Sequence, residues 1–258
     1  MKGLVIRADA SPAIGAGHVL RTLALADALA ERGVPCAYAS HHLAPTLAAR
    51  LENAGHTVAA VTGEPGSSAD LNETLALVDR LGASAVVVDH YGIHAAYLDG
   101  IGHRAGLRTI VIDDLAERDL PVDLIVNPNH DPPRERYARA NELRLGLRYA
   151  LLRKEFAQAR ETVRPVGASV ESILVTLGAT DPHNLTPTVL EGLSALPFAG
   201  EVVVVIGDEN QHRAELEGAV SLLPKARLAI GLRDMAAAMA AVDRVVTAAS
   251  TTTLEAMC

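Results

Sequence analysis

Short runs of aliphatic and β-branched residues alternate with longer helical patterns along the whole chain, and this alternation limits the folds that are open to it. In the first half the runs lie at residues 4–7, 36–39, 58–61, 85–88, 109–112 and 124–126. Helical patterns lie between them, at residues 18–32, 44–54, 70–81 and 95–104. Apolar strands that are joined by helical crossovers are typical of a parallel sheet buried on both faces. The pattern predicts a doubly wound α/β domain.

The second half of the chain repeats this alternation. Its predicted strands and helices are residues 173–176, 185–196, 202–206, 212–222, 227–230, 235–241 and 244–247. The rhythm breaks at Asp131-Pro132-Pro133 and again at Arg164-Pro165-Val166-Gly167, on either side of a predicted helix at 154–162. We therefore predict two Rossmann-like domains, at residues 1–163 and 168–258, with the linker between them.

The last predicted helix begins after Ser250, whose side chain can cap it, and the sequence ends at Cys258 about two turns later. No strand follows for this helix to cover, although a helix of a βα unit normally leads to another parallel strand. We expect the second domain to lack a C-terminal piece.

Composition excludes several classes of protein. The N-terminal apolar run is short and is flanked by charge, so no signal peptide is expected. No apolar stretch reaches the ~20 residues of a membrane-spanning helix. Cys36 and Cys258 lie far apart without a C-x-x-C pair, which argues against disulfides and a zinc site. We expect a cytoplasmic protein with no membrane partner.

The charge balance bears on the partners of the chain. A net charge of −8 and an aromatic content of 3% disfavour nucleic acid as a partner. No series of residues has the spacing of metal ligands, so neither a metal nor another cofactor is expected. Backbone N–H groups at helix N-termini still allow an acidic protein to bind a diphosphate. The sequence leaves the oligomeric state open and is compatible with a monomer.

The segment Gly15-Ala16-Gly17-His18 joins the first predicted strand to the first helix, where the carboxyl ends of parallel strands collect ligands. A dinucleotide fingerprint would need Gly where Leu20 stands, so an NAD site is disfavoured. At a helix start the macrodipole disfavours imidazolium, so a neutral His18 can act as a base. The alternative is a histidine that only caps or packs.

Carboxylates follow two neighbouring predicted strands. Asp89-His90-Tyr91 follows one, and Asp113-Asp114 follows the next along the chain. In a parallel sheet both strand ends meet the same crevice, so these side chains can orient the imidazole or a sugar hydroxyl. The alternative is that the paired aspartates cap a turn or bond loop amides.

Two turns of small residues occupy equivalent positions in the second half. They are Gly178-Ala179-Thr180-Asp181 and Ala248-Ala249-Ser250-Thr251, each between a strand and a helix. Such turns present amides and hydroxyls to phosphate oxygens. Glu255, one turn into the last helix, can accept hydrogen bonds from a ribose diol. Ordinary tight loops and a solvated glutamate are the alternatives.

These segments together resemble the UDP-2,4-diacetamido-2,4,6-trideoxy-β-L-altropyranose hydrolase family of pseudaminic acid biosynthesis, which serves flagellin glycosylation. The resemblance extends over nearly the whole chain. It is carried by Ile14-Gly15-Ala16-Gly17-His18 with Arg21, Asp89-His90-Tyr91-Gly92-Ile93, Ile112-Asp113-Asp114, Asp123-Leu124-Ile125-Val126-Asn127, Tyr149-Ala150-Leu151-Leu152-Arg153 with Glu155-Phe156, Gly178-Ala179-Thr180-Asp181 with Asn184-Leu185, and Ala249-Ser250 with Glu255.

The resemblance implies a GT-B-like fold and a metal-independent UDP-sugar hydrolase. It implies that His18 is the base that activates water, with Tyr91 and Asp89 beside it, and that water attacks the anomeric carbon with inversion and release of UDP. The residues expected to bind substrate or nucleotide are Gly15, Gly17, Arg21, Arg153, Gly178, Thr180, Asp181, Asn184, Ser250, Thr251 and Glu255. Ala179 replaces a family glycine, and its Cβ is expected to tighten or displace the phosphate loop.

Two other functions remain open at this point. A GT-B glycosyltransferase would use the same UDP-sugar donor and would add a surface for an acceptor alcohol. A non-catalytic nucleotide-sugar binding module would bind UDP without turnover.

Overall fold

The computed structural model describes residues 2–11, 14–163, 165 and 167–258. They form two compact units, each with its own parallel sheet. The first unit contains the residues up to Ser11 and His18–Leu151, and the second contains Leu152–Cys258 with the short segment around Gly15. The predicted linker includes Arg164 and Val166, which lie outside the described residues.

The first unit has a seven-stranded sheet in the order β3-β2-β1-β4-β5-β6-β7, with every pair parallel. Its strands are β1 Leu4–Ala8, β2 Cys36–Ser40, β3 Thr57–Ala60, β4 Ala85–Asp89, β5 Arg108–Ile112, β6 Leu124–Asn127 and β7 Glu142–Leu145. Its helices are α1 Gly17–Ala30, α2 Pro45–Asn53, α3 Ser68–Leu81 and α4 Ala95–Gly102, with 3-10 turns at Arg134–Tyr137 and Leu147–Tyr149.

The order of this sheet reverses beside β1. The chain moves outward from β1 through β2 to β3, and it then returns to place β4 on the other side of β1. Ligands of open α/β sheets bind at such a reversal, outside the carboxyl ends of the strands. The core strands are aliphatic on both faces, with Val5 and Val86 buried on one face and Ile6 and Val87 on the other. The polar residues at the ends of β1 and β4 therefore differ from the strands that precede them.

The second unit has a four-stranded parallel sheet in the order β10-β9-β8-β11. Its strands are β8 Ser172–Thr176, β9 Glu201–Ile206, β10 Ala226–Ile230 and β11 Arg244–Thr247. Its helices are α5 Lys154–Ala159, α6 Thr186–Ser194, α7 Arg213–Val220, α8 Met235–Ala240 and α9 Thr251–Ala256, with a 3-10 turn at Arg160–Thr162. Ser250 caps α9, as predicted, because its side chain accepts from the Thr252 N–H.

The boundary between the units differs from the predicted one. Residues 152–163 belong to the second unit, whereas the sequence assigns them to the first domain. The reason is the burial of Phe156 on α5, which packs with Leu174, Val203 and Met239 of the second sheet and its helix α8. An apolar side chain that is buried in a core fixes the helix that carries it.

Most predicted elements agree with the observed ones within one to two residues at each end, and β7 is missing from the prediction. Within the described ranges, no helix combines the length and the apolar character that crossing a bilayer requires.

Candidate active site

His18 and Asp89 form a close pair in the first unit. His18 lies in the first turn of α1, and Asp89 is the last residue of β4. Because β4 pairs directly with β1, in the register Ala8 with Asp89, the start of α1 lies over the end of β4. Nδ1 of His18 is 2.6 Å from Oδ1 of Asp89, and both side chains are buried. The predicted neighbours are therefore brought together within the first unit.

Arg21, one turn further along α1, holds the same carboxylate from the other side. Its Nε and Nη2 each lie 2.6 Å from an oxygen of Asp89, and its Nη1 lies 2.6 Å from Oδ2 of Asp114. Burial alone raises the pKa of Asp89, but the charge and hydrogen bonds of the Arg21 guanidinium, with the contact to His18, outweigh it and lower that pKa. Asp89 is therefore an ionised acceptor, and all three guanidinium nitrogens of Arg21 are engaged.

The tautomer of His18 follows from these contacts. Nη2 of Arg21 also lies 3.2 Å from Nδ1 of His18, but its nearer acceptor is Asp89 Oδ1. An ionised carboxylate only accepts, so the proton in the 2.6 Å contact with Asp89 lies on Nδ1. The neutral ring then has an unprotonated Nε2, for which the described part of the chain provides no hydrogen-bond partner. That nitrogen is available to take a proton.

Tyr91 completes the group. Its ring meets the His18 ring edge-on, with centroids 4.6 Å apart, and its hydroxyl donates to Oδ1 of Asp114 at 3.0 Å. Burial and then the Asp114 carboxylate raise the pKa of Tyr91, so its phenol is protonated. Tyr91 is 39% exposed, so its side chain is partly accessible to solvent.

A second buried network supports the ends of β1 and α3. The Arg7 guanidinium bridges Asp9, at 2.7 Å, and Asp70, at 2.8 Å, with all three side chains fully buried. His90, next to Asp89 in the chain, places Nε2 3.2 Å from Oδ2 of Asp9. No sequence pattern marks this network, because Arg7 and Asp70 are 63 positions apart in the chain.

The glycines before His18 leave open space. Gly15 has φ +72°, a conformation that favours glycine, and a Cβ placed on either Gly15 or Gly17 would meet no described atom within 4 Å. Both remain predicted substrate contacts.

In the second unit, the turn after β8 is held by Asp181. Its carboxylate accepts from the N–H groups of Leu185 and Thr186 and from the Thr186 hydroxyl, at 3.1, 2.9 and 2.7 Å. Gly178 has φ +102°, and Asp181 itself has φ +40°. Asp181 therefore fixes the turn, which leaves the turn's backbone and Thr180 as the predicted phosphate contacts.

Asn184, in the same turn, also has a structural contact. Its Nδ2 donates to Oε2 of Glu215 at 2.7 Å, and its buried Oδ1 has no partner among the described residues. The Cβ of Ala179 lies beside Gly207, since a Cβ placed on Gly207 would be only 2.9 Å from it. Gly207 therefore leaves room for the methyl group of Ala179.

Arg153 and Glu255 form a buried ion pair at 2.9 Å. The Arg153 guanidinium also lies 4.7 Å from the centroid of the Phe156 ring and 3.1 Å from Glu155. Glu255 is thus a buried, paired carboxylate rather than a solvated one. Ser250 uses its hydroxyl in the cap of α9, while Thr251 is the first residue of that helix.

The structure therefore brings His18, Arg21, Asp89 and Tyr91 together in one unit, and Arg153 with Glu255 in the other. Across residues 2–11, 14–163, 165 and 167–258, no group of three or more His, Cys, Asp or Glu side chains is placed to hold a metal ion.

No protein-family profile matches the chain. It is 25% identical over 264 aligned positions to the UDP-2,4-diacetamido-2,4,6-trideoxy-β-L-altropyranose hydrolase of Campylobacter jejuni, covering 98% of this chain and 87% of that protein. It is also 25% identical to an uncharacterized protein of Methanocaldococcus jannaschii, covering 98% of this chain and 53% of that one. The chain thus spans about half the length of the latter relative.

Solved structures show the fold. The chain superposes on MurG of Acinetobacter baumannii with a TM-score of 0.60 and 15% identity, covering 98% of this chain and 74% of that one. The calicheamicin glycosyltransferase CalG4 superposes with a TM-score of 0.61 and 14% identity, covering 99% of this chain and 77% of that one. HepE of Anabaena, solved with UDP and glucose, superposes with a TM-score of 0.55 and 15% identity, covering 95% of this chain and 73% of that one. The chain has the GT-B fold of two Rossmann-like domains, and it resembles the UDP-sugar hydrolase of C. jejuni along nearly its whole length.

Proposed function

We propose that this chain hydrolyses a UDP-activated 2,4-diacetamido-2,4,6-trideoxy sugar at the anomeric C–O bond and releases UDP and the free sugar. The observation that carries the proposal is the His18–Asp89 pair, with Nδ1 and Oδ1 2.6 Å apart. A buried, ionised carboxylate that accepts from Nδ1 fixes the tautomer with a basic Nε2, which is what a general base requires.

The step that follows is a single displacement. Nε2 of His18 takes a proton from water as the water oxygen attacks the anomeric carbon, and the C–O bond electrons leave with UDP. Asp89 stabilises the imidazolium that forms, and Arg21 keeps Asp89 ionised in turn. Attack from the face opposite the leaving group inverts the anomeric centre. The phenol of Tyr91, protonated and against the His18 ring, is a donor for a sugar oxygen.

UDP binding is proposed for the second unit. The turn at Gly178, Thr180 and Asp181, with Asn184, and the residues Ser250 and Thr251 would offer amides and hydroxyls to the diphosphate. Glu255 would accept from the ribose diol, with Arg153 orienting its carboxylate at 2.9 Å. Gly15 and Gly17 would allow close approach of substrate to the start of α1.

A UDP-sugar glycosyltransferase is the second candidate, because the solved structures that share this fold include glycosyltransferases. The two functions differ in the nucleophile. A transferase needs an acceptor alcohol, whereas the hydrolase needs only water. A module that merely binds the nucleotide would release no UDP in either case.

The test is turnover of the candidate UDP-sugar in H₂¹⁸O without an acceptor, followed by NMR and mass spectrometry. Cleavage of the sugar C–O bond by water gives free sugar and UDP that contains no ¹⁸O. Labelled UDP would indicate attack on phosphorus instead. UDP release only after addition of an alcohol would favour the transferase, and tight UDP binding without release would favour the binding module.

A further inference from the structure

Arg118 joins two loops of the candidate site with one guanidinium. Its Nη1 lies 2.7 Å from the carbonyl oxygen of Ile93, 3.0 Å from that of Tyr91 and 3.4 Å from that of His90. Its Nη2 donates to Oδ1 of Asp113 at 3.0 Å, and the side chain is 17% exposed. A single side chain therefore connects the loop after β4 to the end of β5.

The anchor of this connection is rigid. Asp113 is fully buried, and its second oxygen accepts from the Tyr137 hydroxyl at 2.8 Å and from the Ala116 N–H at 3.1 Å. Tyr137 also accepts from Asn127 at the end of β6. Because these contacts fix the Asp113 carboxylate, a shift of the Arg118 guanidinium would break its hydrogen bond to Asp113.

The loop that Arg118 holds carries Tyr91. The Tyr91 side chain contacts His18 and Asp114, while its main-chain carbonyl oxygen accepts from Arg118. The two N–H groups of Nη1 are shared among three main-chain carbonyls, while Nη2 holds the Asp113 carboxylate. A planar guanidinium can reach both places at once because its nitrogens point in different directions, whereas a lysine has a single nitrogen.

We propose that Arg118 is a positioning residue, which fixes the loop at residues 90–93 so that Tyr91 is held against His18 and Asp114 during turnover. The inference rests on the proposed function, in which Tyr91 and His18 contact the substrate. Misplacement of a contacting group by about 1 Å can cost on the order of 10²-fold in rate.

The test is a double-mutant cycle of Arg118→Met and Tyr91→Phe in the full chain, with UDP release as the readout. We expect Arg118→Met to lower kcat by roughly 10- to 100-fold with KM within about twofold. In the Tyr91→Phe background the same change should cost less than in the wild type, because the hydroxyl that Arg118 helps to hold on Asp114 is already absent and only the ring contact with His18 remains. Arg108→Met is the control, since Arg108 pairs with Glu142 on an exposed surface at 3.0 Å. Effects on kcat that multiply would overturn the proposal.

A second readout separates this inference from the proposed function. The ¹³Cζ signal of Tyr91, assigned with Tyr91→Phe, should move in Arg118→Met while those of Tyr38, Tyr97 and Tyr149 stay in place. This holds even if the wild-type chain proves inactive toward the UDP-sugar, and an unmoved Tyr91 signal would overturn the positioning role. If Arg118→Met fails to fold, Arg118→Lys serves for both measurements, with an intermediate effect expected.

Discussion

Arg153 and Glu255 are separated by 102 residues in the sequence, and Nε of one lies 2.9 Å from Oε1 of the other. Both side chains are more than nine-tenths buried, and Arg153 compensates the charge of Glu255 while it also pairs with Glu155. The pair ties the start of the second unit to its last helix.

Replacement of Glu255 by Ala should lower the free energy of unfolding by about 3 kcal/mol, at the low end for a broken buried pair, because Arg153 keeps its contacts with Glu155 and Phe156. Glu255→Gln retains an acceptor and should cost less. Urea unfolding of both variants measures this. An Ala variant as stable as the wild type would show that the pair contributes nothing to stability.

Replacement of His18 by Asn should reduce kcat by ~10²–10⁴ and leave the Kd for UDP within a few-fold, since the base acts on water rather than on the nucleotide. His103→Asn is the matched control, because His103 is exposed at the end of α4. Steady-state kinetics gives kcat, and titration with UDP gives its Kd. Near-wild-type turnover would remove His18 from the mechanism.

Replacement of Asp89 by Asn should flatten the acid dependence of stability. The folded-state pKa of Asp89 lies below its ordinary value of about 3.9, because Arg21 and His18 outweigh burial. Its stabilisation is therefore complete above that ordinary value and is lost as pH falls toward the folded pKa. From about pH 5 downward, the melting temperature should fall less steeply with pH in Asp89→Asn than in the wild type. Asp9, whose pKa is also lowered, still contributes to the acid dependence. Parallel slopes would contradict this prediction.

Two glycine substitutions in the second unit should have opposite effects. Gly178 has φ +102°, so Gly178→Ala is strained and should destabilise by about 1–3 kcal/mol. Gly192 lies inside α6, where an added Cβ meets nothing within 4 Å, so Gly192→Ala should stabilise by roughly 0.5–1 kcal/mol. Chemical unfolding measures the free energy of unfolding, which should decrease in Gly178→Ala and increase in Gly192→Ala. A neutral Gly178→Ala would mean that the turn relaxes freely.

The sequence predicts much of the fold because buried parallel strands are continuous apolar runs. It does not predict β7, where Glu142 and Arg144 alternate with Leu143 and Leu145 at the edge of the sheet, so the strand lacks that signal. The proximity of His18, Asp89 and Tyr91 follows from strand order alone.

Other parts of the site have no sequence signal. The resemblance predicts Arg21 as a ligand contact, but its hydrogen bonds to Asp89 depend on the register of β4. Arg118 binds main-chain carbonyls, which any residue supplies, so no pattern marks it. The sequence predicts Asp181 as a phosphate contact and gives no sign that its carboxylate accepts from Leu185 and Thr186.

The central position of β1 sets the timing of assembly during synthesis. Leu4 pairs with Ala85 on one side, so β1 emerges from the ribosome well before β4 and has only β2 as its neighbour in this sheet for several seconds at about 5–20 residues per second. Until β4 emerges, β1 presents an open edge to other chains. The strand that closes this edge ends in Asp89. Protection of the nascent sheet and assembly of the His18–Asp89 pair are therefore one event.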